Sequence, residues 1–196
     1  MQEKEPDYFS AFVSISKAIS SSLDFQEVLG LIVKHAVESL ELKAGALSLW
    51  NRRENRLELI TQRDLSEEFL NKGPILVDKS IPKAITSKKS VVVSNVENDR
   101  QVQYPEACKK EGIKSILSVP IVFKDNVIGV LRLYDSKPRE FTPRELEFMT
   151  ALAEQGGIAI QNARHMEKVL RDHEKEIGEL WDWFDSMSGY PRVLDG

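Results

Sequence analysis

Few side chains in this sequence have the type and spacing for chemistry. The histidines are His35, His165 and His173, and the one cysteine is Cys108. His35 lies among apolar residues of a helical pattern, where a satisfied or edge histidine is expected rather than a haem ligand. A single cysteine can close no intrachain disulfide and build no cysteine-only zinc cluster. The sequence contains no His-Glu-x-x-His, no Gly-Lys-Ser phosphate loop and no Gly-x-Ser-x-Gly elbow. No pair of carboxylates stands out for acid–base work. The remaining candidate is a pocket lining. Along Ser115 to Phe123 and Val127 to Tyr134, strand alternation puts Leu117, Val119, Ile121, Leu131 and Leu133 on one face, assigned to the long helices. Ile116, Ser118, Pro120, Val130, Arg132 and Tyr134 then face the other way, joined by Ala46, Ser48 and Trp50 of an earlier strand. From this set Ser48, Trp50, Ile116, Ser118, Arg132 and Tyr134 are the candidate ligand-binding residues. Aromatic surface, hydroxyls and one guanidinium suit a small anionic or polar aromatic ligand. Arg132 is the residue for a carboxylate or phosphate. The competing reading is an internal salt bridge from Arg132 to Glu106 or Asp99 across a collapsed cavity.

These side chains need a sheet and covering helices. Apolar residues from Tyr8 to Ile19 suit a helix with one buried stripe. Asp24 with Glu27, and Leu23 with Val28, signal the start of a second helix, whose buried face runs from Val28 to Leu40. Residues 44–50 and 56–62 read as strands joined by a polar turn. A short helix is expected over 81–87, a β-branched strand over 90–94, and a polar loop over 95–103. A second short helix spans 105–111, with Pro105 in its first turn and Gly112 as its stop. Lys124-Asp125-Asn126 turns the two long strands into a hairpin.

Thr142-Pro143-Arg144-Glu145 is a capping box with proline at the first helical position. The next proline is Pro191, so a helix over about 143–185 is expected, about 60 Å long. Its apolar stripe alternates spacings of three and four from Met149 through Leu152, Gly156, Ala159, Ala163 and Met166 to Leu170, His173, Ile177, Leu180 and Phe184. That is a heptad seam. No local sheet covers Leu170, Ile177, Leu180 and Phe184, so the simplest cover is the same helix of a second chain. Gly156, Ala159 and Ala163 would allow close approach in the resulting bundle, and His173 is a tolerated polar position or a pH-sensitive one. The alternative is a helix folded back near Gly178. Residues 186–196 read as a flexible tail.

The 196 residues allow one domain with extensions, or two small ones. Hydrophobic residues are 41% and charged residues 30%, enough for a core and against wholesale disorder. A net charge of -4 supplies no global field toward nucleic acid or anionic lipid. The apolar runs are too short to span a membrane, and no secretory signal opens the chain, so a cytoplasmic location is expected.

The element order is an α+β pattern with a mostly antiparallel sheet flanked by helices. Leu23-Asp24-Phe25-Gln26-Glu27-Val28-Leu29, Val91-Val92-Val93-Ser94-Asn95-Val96, Gly112-Ile113-Lys114-Ser115-Ile116-Leu117-Ser118-Val119-Pro120-Ile121 and Val127-Ile128-Gly129-Val130-Leu131-Arg132-Leu133-Tyr134 together resemble a GAF domain, the small-molecule sensing module of signalling proteins. The resemblance implies a domain over 1–142, completed by the first half of a helix over 143–185 whose second half projects as a coiled coil. It also implies a ligand between the sheet and a lid of short helices over about 73–112. Some features depart from the family. Cyclic-nucleotide members carry an Asn-Lys pair where Ser136-Lys137 stands, and Asp-Glu where Glu145-Leu146 stands. Bilin-binding members attach the chromophore at the position of Val102 and carry histidine at Gln103. Members that reduce free methionine sulfoxide use several cysteines. The reading is a non-catalytic, homodimeric sensor module with an unnamed ligand and no named cofactor. Its alternatives are a redox enzyme using Cys108 and a ligand-free dimerisation module.

Overall fold

Alternation of apolar and polar residues at period two builds the sheet, and the register shows how far it carries. The computed structural model describes residues 8–21, 25–100 and 102–188, without the side chains at 19–21, 82 and 181–188. Helices α1 (Tyr8–Ser21) and α2 (Phe25–Ser39) precede strands β1 (Ala44–Asn51) and β2 (Arg56–Arg63). Then come α3 (Glu67–Leu70), β3 (Ile75–Leu76), α4 (Val77–Ser80), α5 (Pro82–Ser87), β4 (Val91–Val93) and α6 (Pro105–Glu111). Strands β5 (Ser115–Phe123) and β6 (Asn126–Asp135) lead into the long helix α7 (Pro143–Ser188). The sheet has six strands in the order β3-β2-β1-β6-β5-β4, and every pairing is antiparallel.

Local chemistry explains the joints. Lys124 and Asp125 both take positive φ, +44° and +63°, so the β5–β6 hairpin closes on two residues and Asn126 already pairs with Phe123. Gly112 ends α6 at φ +73°, its amide bonding back to the last turn. At the start of α7, Thr142 N donates to Glu145 Oε2 at 2.7 Å and Glu145 N donates to Thr142 Oγ1 at 3.3 Å, the reciprocal capping box. Arg139 reinforces this corner. It donates to Leu40 O at 2.9 Å, Asp135 Oδ2 at 3.2 Å and Glu145 Oε1 at 2.6 Å, tying α2, β6 and α7 together.

The two faces of the sheet divide as the alternation requires. Leu47, Leu117, Val119, Ile121, Leu131 and Leu133 are fully buried toward the helices. Each such side chain contributes about 1.5–3 kcal/mol on burial. A Cβ built on Gly45 would meet Val33, Val37 and Leu133, and one built on Gly156 would meet Ile32, Leu47 and Leu29. The opposite face carries two apolar clusters. One holds Ala46, Phe69, Cys108, Ile116 and Tyr134, the other Leu57, Val77, Ile81, Ala84 and Val130.

Some expectations need correcting. Periodicity assigns nothing between Gln62 and Ile81, yet α3, β3 and α4 lie there; elements of two to four residues are too short to display a period. Gly156 and Ala159 do not open room for a second copy. Gly156 faces α2 and β1 of its own domain, and Met149, Leu152 and Ala159 are buried with it. The expected tail over 186–196 also starts too early, since α7 continues to Ser188; the remainder of the tail lies outside the described residues. The capping role of Asp24, the Leu23 staple and the Phe184 side chain lie outside them as well.

The chain divides into two units, residues 1–159 and 160–196. The second is helical through Ser188, with Met166, Val169, Leu170, Ile177 and Leu180 exposed, and with i,i+4 ion pairs Glu167–Arg171 and Lys175–Glu179. Among the described residues no helix is long and apolar enough to cross a membrane.

Candidate functional site

Cross-strand register brings five of the six predicted lining residues onto adjoining rows. Arg132 pairs with Ala46 on one side and Ser118 on the other; Tyr134 pairs with Ala44 and Ile116; Val130 pairs with Ser48 and Pro120. Ser48, Ile116, Ser118, Arg132 and Tyr134 are all buried. The sixth, Trp50, packs against the Leu57–Val77–Val130 cluster, beneath the Arg52 guanidinium at 4.7 Å, and its Nε1 is buried without a hydrogen-bond partner. It therefore stands apart from Tyr134.

A cavity of about 100 Å³ lies on this face. Ala46, Ser48 and Tyr134 form its floor; Leu65, Leu70, Lys72 and the Gly73-Pro74-Ile75 segment close it. A larger open groove of about 880 Å³ runs outside, between α3 and α6, and shares Lys72 with the inner cavity. The closing segment is latched. Tyr104 Oη donates to Pro74 O at 2.8 Å, Gln103 Nε2 donates to the same oxygen at 3.1 Å, and Leu76 N donates to Gln103 Oε1 at 3.0 Å. Gly73 allows this approach. It holds φ +114°, and a Cβ there would lie 2.9 Å from Tyr104 Oη.

Arg132 is 8% exposed. Its Nη1 donates to Ser80 Oγ at 3.2 Å, its guanidinium lies 5.7 Å from the Tyr134 ring centroid, and its Nε is buried without a partner. Among the described residues no carboxylate comes within 4.0 Å of it, so the salt bridge to Glu106 or Asp99 does not form. Instead a second cation lies near. Lys72 Nζ donates to Phe69 O at 2.8 Å and sits 3.7 Å over the Phe69 ring. Burial, and then the charge of Arg132, bring its pKa down to about 8. Lys72 is the residue that sequence reasoning missed. It follows a one-turn helix with no periodic signature, and nothing local relates it to a strand arginine.

Cys108 is buried in the Ile116–Tyr134 cluster. Burial raises its thiol pKa, which disfavours the nucleophilic thiolate. The acids of the outer groove are engaged elsewhere: Glu68 with Lys110 at 3.0 Å, and Glu111 with Ser66 N at 3.0 Å and the Ser66 hydroxyl.

A family model described as the GAF domain matches residues 22–161. The chain belongs to the GAF domain family. The match spans the sheet, the lid and the start of α7. This GAF chain is 24% identical over 182 residues to the formate hydrogenlyase transcriptional activator of Salmonella typhimurium, covering 90% of the chain and 26% of the activator. It is 27% identical over 194 residues to the methyl sulfide methyltransferase-associated sensor of Methanosarcina acetivorans, covering 93% of the chain and 19% of that sensor. Among solved structures, the GAF domain of a phosphoenolpyruvate-protein phosphotransferase from Coxiella burnetii superposes with a TM-score of 0.73 at 15% identity, covering 85% of this chain and 99% of that one. That last likeness establishes the fold alone. The GAF chain thus spans about a quarter or less of the curated relatives' length.

Proposed function

We propose that this GAF chain is a non-catalytic, cytoplasmic sensor module that binds a small molecule under the lid and pairs with a second copy through α7. One observation carries the ligand half of the reading. A guanidinium more than nine-tenths buried, with a free Nε and no carboxylate partner, adjoins a cavity floor of Ser48 and Tyr134. Buried charges are normally paired, so a site that leaves one unpaired is built for something the chain does not contain. The latch of Gln103 and Tyr104 on the Gly73–Leu76 segment gives the ligand an element to bias. A ligand that holds this segment closed more tightly than open shifts its population. The relatives named a transcriptional activator and a sensor support a regulatory role over a catalytic one. So does the raised pKa of Cys108, the residue on which a redox reading depends.

The second copy is proposed from the heptad spacing of Leu170, Ile177 and Leu180, which continues through Phe184, together with the exposure of the first three. Native mass spectrometry of freshly purified protein tests the ligand half. We expect a dimer carrying a small organic or inorganic adduct that unfolding releases. A bare mass across preparations, with no gain in thermal stability from a metabolite extract, rules out the sensor reading and leaves a dimerisation module.

A further inference from the structure

The ligand class can be taken further, on the reading that the lid cavity is a binding site. We infer that its occupant is a small anion, of the size of acetate or inorganic phosphate, held between Lys72 and Arg132.

The groups on this face leave a charge imbalance. Arg132 and Lys72 are both withdrawn from water, and among the described residues neither has a carboxylate within 4.0 Å. Their protein partners are neutral oxygens: Ser80 Oγ for Arg132 and Phe69 O for Lys72. Arg132 Nε has none. A guanidinium offers five donors in a planar fork matched to carboxylate or phosphate oxygens, and four of its five hydrogens are not taken up by the Ser80 bond. Ser48 and Tyr134 supply polar atoms on the same floor. The lowered pKa of Lys72 has the same origin as the imbalance: burial beside another cation with nothing negative to offset them.

Volume sets the size. A cavity of about 100 Å³ holds about three water volumes at roughly 30 Å³ each. That admits an acetate or phosphate ion and excludes a nucleotide or tetrapyrrole while the latch is closed. Entry follows from Lys72, which lines both the outer groove and the inner cavity. An anion attracted into the groove meets this ammonium before Arg132.

The test is thermal melting and titration calorimetry on the full chain, with sodium acetate and sodium phosphate as probes. Acetamide serves as the neutral isostere, and sodium chloride matches the ionic strength. Acetate or phosphate is expected to raise the melting temperature, with acetamide and chloride inert. Lys72→Gln and Arg132→Gln are each expected to weaken that binding at least tenfold, and the exposed control Lys88→Gln to leave it unchanged. Without anion, Lys72→Gln should melt at or above the wild type, because an uncompensated charge has gone. That readout stands even if Arg132→Gln fails to fold. No shift from either anion overturns the inference, and so does a shift that survives Lys72→Gln. If the anions fail while native mass spectrometry still finds a neutral adduct, the anion class is wrong and the pocket reading stands. If no adduct and no shift appear, both fall.

Discussion

Arg132 of β6 and Ser80 of the lid helix α4 meet at 3.2 Å, Nη1 donating to Oγ across 52 residues of chain. The bond joins the floor of the candidate site to its cover. It also leaves the guanidinium with a neutral partner rather than a carboxylate. Ser80→Ala removes that acceptor and strands another donor of a buried cation. An unsatisfied buried group costs about 1–3 kcal/mol, so urea unfolding of the unliganded variant is expected to show a loss of that order. A loss that a bound anion restores would place the anion on Arg132; an unchanged midpoint would mean that the bond contributes nothing.

Lys72 makes stability depend on pH in a defined window. Its ordinary pKa is 10.5 and its folded value is about 8, lowered by burial and then by Arg132, with Cys108 and Glu111 acting the other way. Between those values the unfolded chain holds the proton that the folded chain has lost, so folding gains stability as pH rises from about 8. Below about 8 both states are protonated and the penalty is constant. Cys108 opposes the trend only above its ordinary 9.0, since its folded pKa is raised. The stability of the wild type relative to Lys72→Gln should therefore climb from pH 8 to 9. A flat difference would place Lys72 in ordinary solvent.

Two glycines should respond to alanine with opposite sign. A Cβ on Gly129 would lie 2.4 Å from Ser48 O, a backbone atom of the paired strand, and cannot be accommodated without separating β1 from β6. Gly129→Ala is expected to destabilise by about 1–3 kcal/mol or more. Gly156 lies inside α7, and its nearest neighbour to a new methyl is Ile32 Cδ1 at 3.5 Å, ordinary contact. Gly156→Ala should be neutral or gain up to about 1 kcal/mol from helix propensity. Chemical denaturation of both variants checks the pair, and equal effects would contradict the packing described.

Ending the chain after Met166 removes Leu170, Ile177 and Leu180, which are 57%, 42% and 63% exposed. The remaining residues contain the whole first unit, 1–159. They are expected to fold cooperatively and elute as a monomer, while the full chain elutes as a dimer in light-scattering chromatography. A truncated form that stays dimeric would move the proposed seam off these three residues.

Much of this architecture was legible because it is written in local periods. Alternation sorts Leu131 and Leu133 from Arg132 and Tyr134 without reference to any other strand, and Thr142 with Glu145 announces the start of α7 within four residues. The site was legible only on its floor. Ile116, Ser118, Arg132 and Tyr134 belong to one regular hairpin, so their neighbours follow from register. The lid is made of elements too short to show a period, and its one-turn helices gave no warning of Lys72 or Ser80.

The helix seam shows the same boundary from another side. Spacings of three and four define an apolar stripe from Met149 onward, but they do not say what covers it. Packing assigned Met149, Leu152 and Gly156 to the chain's own helices and sheet, since α2 and β1 supply the facing surface. The amino-acid order by itself determined the strands, the long helix, the capping of its start and which side chains share a face, because each depends on bonds and sterics within a few residues. Only the tertiary structure decided that Lys72 comes near Arg132 with no carboxylate at either, and that Tyr104 reaches back over Gly73. Those proximities depend on where irregular connections return across the sheet, and that is settled by packing of the whole domain rather than by any local pattern.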